Sequence, residues 1–217
     1  MTRRTVIIVV LVCLALGAVI FAQAATVRLP GNDQGYSPVQ PIAYSHRLHA
    51  GELEVPCLYC HSGAEKSRHA GVPSASVCMN CHRFVTATQA QVQEEEAAAR
   101  RAGRDPRPVF SPEIRKLYDA LGLGTDGKRD PSKSQRAIRW TRVHHVPDFV
   151  SFDHRRHIAA GVECQSCHGD VQTMERVSQS SDLSMGWCLS CHRDSNARAK
   201  ADRDPHRAST DCVVCHQ

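Results

Sequence analysis

Ten of the eleven cysteines form five C-x-x-C pairs, and a histidine directly follows each pair. Zinc knuckles and redox dithiols use two cysteines at this spacing, but neither needs a histidine at that fixed place. C-x-x-C-H is instead the pattern of covalent attachment of a c-type haem. We number the motifs in chain order as sites 1 to 5: Cys57-Cys60-His61, Cys78-Cys81-His82, Cys164-Cys167-His168, Cys188-Cys191-His192 and Cys212-Cys215-His216.

Haem attachment explains the spacing of the motif. Residues three and four apart lie on one face of a short helical turn. Two sulfurs placed in this way can form thioethers with two vinyl groups of one porphyrin, and the following histidine reaches the iron as its proximal ligand. The sequence therefore predicts five covalently attached haem c groups, with zinc sites or disulfides as the alternatives.

The remaining histidines can supply the second, distal axial ligands that low-spin haems need. In two H-x-x-H pairs the imidazoles lie one helical turn apart, so one short helix can serve two haems. These pairs predict His46, His49, His154 and His157 as distal ligands. The fifth distal ligand is predicted to be His144 or His145, with His69, His206 and Met185 as alternatives.

Composition predicts a fold organised by haems rather than by an ordinary protein core. Only 5% of the 217 residues are aromatic, and the mean hydropathy is -0.36. Bound macrocycles can compensate for such a weak core. We therefore expect a mostly α-helical chain with much irregular structure and almost no sheet. The net charge of +5 is interpreted as partial compensation of haem propionates, and no nucleic-acid partner is expected.

The N-terminal segment is long enough to cross a membrane. Arg3 and Arg4 precede an apolar run of residues 6–22, which predicts a retained single-pass helix. The alternative is a cleaved signal peptide with Ala22-Gln23-Ala24 as the cleavage site. The arginines place that end in the cytoplasm and the haem region on the periplasmic side of a bacterial inner membrane. Covalent attachment of c-type haem takes place on that same side.

The chain divides into segments around an internal repeat. "YSHRLH" and "FDHRRH" share the pattern aromatic-x-H-x-x-H, and a C-x-x-C-H motif follows each of them. The predicted segments are an anchor (1–27), a linker (28–43), a dihaem module (44–83), an insert (84–143) and a trihaem module (144–217). We interpret the insert as a docking surface for a partner subunit, and a solvated spacer is the alternative.

Two helices are predicted within the insert. The charged run "TATQAQVQEEEAAARRAGRDP" should end near Gly103 and Pro106. The run "SPEIRKLYDALGLG" should begin with Ser111 as its N-cap and end at Gly122 or Gly124.

Four stretches carry a resemblance to a known family: "YSHRLH", "HAGVPSASVCMNCHR", "WTRVHHVPDFVSFDHRRH" and "LSMGWCLSCHR". They resemble the membrane-anchored pentahaem cytochrome subunit of alternative complex III, and more broadly the class III multihaem cytochromes. The resemblance implies mostly His/His ligation and favours His144 over His145. It also implies, as partners, an iron–sulfur, molybdopterin-enzyme-like subunit and integral quinol-binding subunits, with a monohaem cytochrome c or a terminal oxidase as acceptor.

The predicted function is an electron relay, and we assign no catalytic residue and no enzymatic activity to the chain by itself. There are enough histidines to saturate all five irons, which leaves no open position for a substrate. One alternative is a stand-alone membrane quinol dehydrogenase, and another is an electron-transfer subunit of a different molybdopterin-type complex. A multihaem reductase would need an open haem face, and no C-x-x-C-K motif indicates one.

Overall fold

The structure is a computed structural model that describes residues 3–24, 32–199 and 207–216. The alternative ligand His206, the first residues of the linker and the junction between anchor and linker lie outside the described residues. Within them the helices are α1 (Arg3–Ala24), α2 (Cys57–Cys60), α3 (Ala75–His82), α4 (Gln89–Ala102), α5 (Pro112–Leu121), α6 (His154–Ala159), α7 (Gln165–His168), α8 (Met185–Arg198) and α9 (Cys212–Cys215). A π-helical turn (Arg47–Glu52) and a 3-10 turn (Val171–Thr173) complete the regular structure.

Long irregular connections join these helices. Over the described ranges there is no β-strand, only two isolated bridges, Leu123 to Arg129 and Val150 to His216. The fold is mostly helical and irregular, as the sequence predicts, and this is consistent with a multihaem cytochrome c.

Helix α1 is the one candidate membrane span among the described residues. Its 22 residues extend over about 33 Å, enough for the hydrocarbon core of a bilayer. The stretch Arg3–Ile20 has a mean hydropathy of 2.3, and none of it is buried against the rest of the chain. By length and composition, α1 could cross a membrane.

Capping side chains and glycines set the ends of the two insert helices. The Thr88 hydroxyl accepts from the Gln91 amide at the start of α4, and Gly103 ends the helix with a φ of 62°. Ser111 caps α5, and Gly122 ends it with a φ of 64°. A left-handed glycine after the last turn is a usual helix stop. The predicted helices are confirmed, and Gly122 rather than Gly124 ends the second.

The buried apolar side chains of the described residues are few, and most lie in the insert. Four side chains there each expose less than a tenth of their surface: Ala99 on α4 and Leu117, Tyr118 and Ala120 on α5. Other large apolar side chains stand exposed next to or within the motifs; Phe84 after site 2 is 80% exposed and Val213 in site 5 is 75% exposed. The insert therefore forms a small core of its own, which the spacer interpretation did not anticipate.

That small core is tied directly to site 2. The Tyr118 hydroxyl donates a hydrogen bond of 2.9 Å to the carbonyl oxygen of His82, the last residue of the site 2 motif. Because Tyr118 is only 2% exposed, water cannot easily replace this bond. The insert thus supports the backbone of one of the five motifs.

Replacing Tyr118 with phenylalanine should lower the free energy of unfolding by about 1 kcal/mol, because the His82 carbonyl then lacks its buried donor. The measurement is the guanidinium unfolding midpoint, followed by far-ultraviolet circular dichroism. Tyr59→Phe is the matched control, since Tyr59 is 50% exposed and water can replace its bond with Asn80. Equal losses in both variants would contradict the supporting role of Tyr118.

Candidate functional site

Each C-x-x-C-H motif lies on a helical turn. Sites 1 and 5 form the short helices α2 and α9, while site 4 lies within α8. The His61 amide donates to the Cys57 carbonyl at 2.9 Å, and the His216 amide donates to the Cys212 carbonyl at 2.9 Å. These i to i−4 bonds place each histidine at the end of the helical turn that contains its two cysteines. The local geometry is the one that the motif spacing predicts.

The cysteines of the motifs are all unpaired. None of the ten forms a disulfide, and no group of three or more metal-ligating side chains is found among the described residues. Each site instead offers two free sulfurs and one imidazole, which is the donor set that covalent attachment of a haem requires.

In the first half of the chain, each motif histidine faces one member of the first H-x-x-H pair. The ring centroids of His46 and His61 are 6.5 Å apart, and their planes differ by 6°. Those of His49 and His82 are 6.0 Å apart. The two histidines on one turn therefore face two different motifs, sites 1 and 2.

The second half repeats this arrangement. The ring centroids of His154 and His168 are 6.3 Å apart, with planes differing by 10°. Those of His157 and His192 are 6.1 Å apart. The second H-x-x-H pair therefore faces sites 3 and 4.

These separations fit an iron shared between the two imidazoles of a pair. Metal–imidazole bonds of about 2 Å place two opposite ligating nitrogens about 4 Å apart. Since a ring centroid lies about 1 Å behind its ligating nitrogen, the centroids of two such ligands are about 6 Å apart. The four pairs lie near this value, so the residues present fit a haem held between two histidines at sites 1 to 4.

An aromatic ring holds each H-x-x-H pair apart. Tyr44 stacks on His49 with centroids 4.4 Å apart and meets His46 edge-on at 4.8 Å. Phe152 contacts His157 at 4.6 Å and meets the first histidine of its own pair edge-on at 4.8 Å. The sequence repeat is thus a structural repeat in which one ring sets the divergence of two imidazoles.

The second histidine of each pair is held by its own turn. The Nδ1 of His49 donates to the Ser45 carbonyl at 2.8 Å, and the Nδ1 of His157 donates to the Asp153 carbonyl at 2.9 Å. A bond at Nδ1 leaves Nε2 as the nitrogen free to ligate a metal.

His46, the first member of the first pair, is half-buried. Burial, together with the neighbouring imidazoles of His61 and His49, lowers its pKa from the usual value to about 4. Its Nδ1 is buried and has no hydrogen-bond partner. The ring is therefore neutral at physiological pH, which is the protonation state that a metal ligand needs.

Three proximal histidines donate from Nδ1 to backbone carbonyls. The acceptor is Gly71 for His61 at 2.8 Å, Val85 for His82 at 2.7 Å and Ser209 for His192 at 2.6 Å. Such bonds fix the orientation of a ligating ring and raise its basicity. Sequence reasoning missed these acceptors because any residue type can supply a backbone carbonyl.

Site 3 differs, because its proximal histidine meets another imidazole. The Nδ1 of His168 lies 3.2 Å from the Nε2 of His144, and the two rings are nearly perpendicular, with centroids 4.3 Å apart. Burial, together with neighbouring imidazoles of which His168 contributes most, lowers the pKa of His144 to about 4. The sequence predicts His144 or His145 as the fifth distal ligand, and the resemblance favours His144. In the structure the His144 ring lies against His168 of site 3, and its role as a ligand stays a prediction.

The ring found against His216 of site 5 is that of Phe149, with centroids 5.7 Å apart. His145 donates from Nε2 to the Arg142 carbonyl at 3.1 Å, and Met185 is 66% exposed at the start of α8. His69 is also exposed. The distal ligand of site 5 therefore stays a prediction.

Sites 1 and 2 lie side by side. The Asn80 side chain of site 2 donates to the Tyr59 hydroxyl of site 1 at 2.9 Å. Burial raises the pKa of Cys78, and the neighbouring Cys60 of site 1 raises it further. Together with the turn shared by His46 and His49, these contacts make the two sites direct neighbours.

Sites 1 and 3 meet through the loop that follows site 1. Within that loop, His61 donates to Gly71, while the Nδ1 of His154 donates to the Arg68 carbonyl at 2.7 Å. Burial raises the pKa of Cys164, and the Cys57 thiol of site 1 raises it further. One loop thus holds the proximal ligand candidate of site 1 and the distal ligand candidate of site 3.

Sites 3, 4 and 5 follow one another. Burial raises the pKa of Cys167, and the site 4 thiols Cys191 and Cys188 raise it further. Burial also raises the pKa of Cys188, and the Cys215 thiol of site 5 raises it further. The bond from His192 to Ser209 ties site 4 to the segment that enters site 5.

Comparison with known proteins agrees with this geometry. Residues 150–217 match the family described as cytochrome c7 and related cytochrome c, and this segment contains sites 3, 4 and 5. The matches are to multihaem c-type cytochromes, to which this chain is similar. It is 25% identical over 198 residues to the multihaem cytochrome c subunit of menaquinone reductase from Nitratidesulfovibrio vulgaris (strain Hildenborough), covering 82% of this chain and 77% of that protein.

Proposed function

We propose that this chain is a pentahaem c-type cytochrome that relays electrons within a membrane complex linked to quinone. The four imidazole pairs, with centroids 6.0 to 6.5 Å apart, carry the proposal. A histidine on each side of the metal leaves no position for a substrate at sites 1 to 4, which favours conduction of electrons over catalysis by the chain itself.

The proposed attachment residues are the two cysteines of each motif, with the motif histidine as proximal ligand. The proposed distal ligands are His46 for site 1, His49 for site 2, His154 for site 3 and His157 for site 4. When bound, haem c supplies one-electron oxidation and reduction at a potential set by its ligands and surroundings. At sites 2, 3 and 4 a hydrogen bond at Nδ1 fixes the orientation of the distal imidazole.

The proposed route does not follow the order of the motifs in the sequence. Site 2 touches site 1, and site 1 touches site 3 through the loop of Arg68 and Gly71. Sites 3, 4 and 5 then follow in turn. The order is therefore 2–1–3–4–5, so sites 2 and 5 are the two ends of the relay.

The two ends have different surroundings. Site 2 is backed by the core of the insert through Tyr118, which supports the insert as the side where a partner subunit docks. Site 5 carries the exposed side chain of Val213. One end then takes electrons from a partner subunit and the other passes them on.

Helix α1 is proposed as a single-pass anchor in a bacterial inner membrane. The arginines that precede its apolar run favour the cytoplasmic side for that end and the periplasmic side for the sites. In an arrangement like alternative complex III, the partners would be an iron–sulfur, molybdopterin-like subunit and integral quinol-binding subunits. A monohaem cytochrome c or a terminal oxidase would be the acceptor.

The similarity to a menaquinone reductase subunit favours a second direction of electron flow. That relative belongs to a menaquinone reductase, so the second candidate function is electron relay in a complex that delivers electrons to menaquinone. The same relay serves either direction, because the driving force is set by the partners at its two ends.

Native membranes extracted in mild detergent test the proposal. On a native gel stained for haem, this chain should migrate with iron–sulfur and polytopic membrane subunits, identified by mass spectrometry. The excised complex should reduce a cytochrome c with quinol, or reduce menaquinone with a reduced cytochrome in the case of the second candidate function. A haem band that runs alone and is still reduced by quinol would contradict both and favour a stand-alone quinol dehydrogenase.

A further inference from the structure

We propose that His144 is a positioning residue of site 3, which accepts a hydrogen bond from the proximal histidine His168 and lowers the reduction potential of that one haem. The proposal rests on the proposed function, because it takes His168 as a haem ligand. It replaces the sequence prediction that His144 is itself a ligand.

Geometry assigns this role to His144. Facing His154 across 6.3 Å, His168 uses Nε2 toward the metal, so its Nδ1 carries the proton. The atom 3.2 Å from that Nδ1 is the Nε2 of His144, which must then be the unprotonated acceptor. The ligating edge of His144 is therefore already occupied by site 3.

The partner of His168 is chemically unlike the partners of the other proximal histidines. Those of sites 1, 2 and 4 donate to backbone carbonyls. A neutral imidazole nitrogen is a far stronger base than an amide oxygen, so it draws more of the Nδ1 proton. His168 thereby gains anionic character, which stabilises the ferric state and lowers the potential.

A buried side chain fixes His144 in place. The amide nitrogen of the adjacent His145 donates to the side-chain oxygen of Gln179 at 3.1 Å. Gln179 is only 1% exposed, and its backbone is tied to Gly35 and Tyr36 by hydrogen bonds of 2.7 and 3.0 Å. This explains why a glutamine occupies so buried a position: it anchors the segment that carries His144.

The effect falls on the haem that joins the two halves of the chain. Site 3 contacts site 1 through the loop of Arg68 and is followed by site 4. A lowered potential at this place controls how readily electrons pass between the dihaem and trihaem modules.

The test compares His144→Ala and His144→Gln in the purified, haem-loaded full-length protein. His144→Ala should keep five haems, show no high-spin signal beyond that of the wild type by electron paramagnetic resonance and raise one of five midpoint potentials in spectroelectrochemistry. His144→Gln keeps an acceptor oxygen near the place of Nε2 and should give an intermediate shift. Gln135→Ala, an exposed uncharged side chain in the same segment, is the control and should shift nothing.

Two outcomes overturn the proposal. A high-spin haem in His144→Ala would mean that His144 is a ligand, and five unshifted potentials would mean that the hydrogen bond has no effect. Gln179→Leu should raise the same single potential, which keeps the proposal testable if His144→Ala does not mature. Mass spectrometry of the wild-type peptide with Cys164 and Cys167 is the separate test of the proposed function, which fails if that peptide carries no haem.

Discussion

His154→Ala should convert one haem of the purified protein from low-spin to high-spin while all five haems stay attached. The variant removes the imidazole that faces His168 at 6.3 Å and leaves the thioether cysteines untouched. A haem with one strong axial ligand is high-spin and binds carbon monoxide. Electron paramagnetic resonance and carbon monoxide difference spectra measure the change, and a pyridine haemochrome assay counts the haems.

The same result is expected for each of the other proposed distal ligands, at one haem per variant. Free imidazole in the buffer should restore the low-spin spectrum, because it enters the space that the side chain has left. A variant that stays low-spin without imidazole would contradict the assignment of that histidine. The contrast with His144→Ala is direct, since both rings face His168 but only the loss of His154 is expected to change the spin state.

Removing site 2 should raise the midpoint potential of the site 1 haem and leave that of site 3 unchanged. The double variant Cys78→Ser, Cys81→Ser loses a haem together with its propionates, so the neighbouring haem loses a nearby negative charge. This electrostatic effect falls with distance and is largest for direct neighbours. Redox titrations followed by nuclear magnetic resonance, with each haem assigned, give the individual potentials.

The matched variant removes site 1 through Cys57→Ser, Cys60→Ser. In the order 2–1–3–4–5, site 1 is internal, so the potentials of sites 2 and 3 should both rise. A route in sequence order would make site 2 the internal one, and its removal would then raise the potentials of sites 1 and 3 together. That outcome would overturn the proposed order, and a haem count of four with low-spin spectra shows that each variant has folded.

In the insert, the sequence predicted the local structure but not the contact with site 2. The helices and their caps were predictable because Thr88, Gly103, Ser111 and Gly122 act within one or two turns of their own position. The contact of Tyr118 with the site 2 backbone was not, because it joins residues 36 apart in the sequence.

The sequence by itself determined what is local in this protein. The five C-x-x-C-H motifs define the attachment sites, because two sulfurs and an imidazole on one turn need no other part of the chain. The two H-x-x-H pairs likewise place imidazoles one turn apart, and the aromatic residue before each pair supplies the ring between them. All these features span fewer than ten residues.

Only the tertiary structure decided which histidine faces which motif, in what order the sites meet and where His144 lies. These relations depend on contacts between distant segments, such as His154 with the Arg68 carbonyl and His145 with Gln179. Their acceptors are backbone carbonyls or a single buried amide, which leave no pattern in the sequence. The spacing of residues therefore specified the parts of the relay, and long-range packing set their connection.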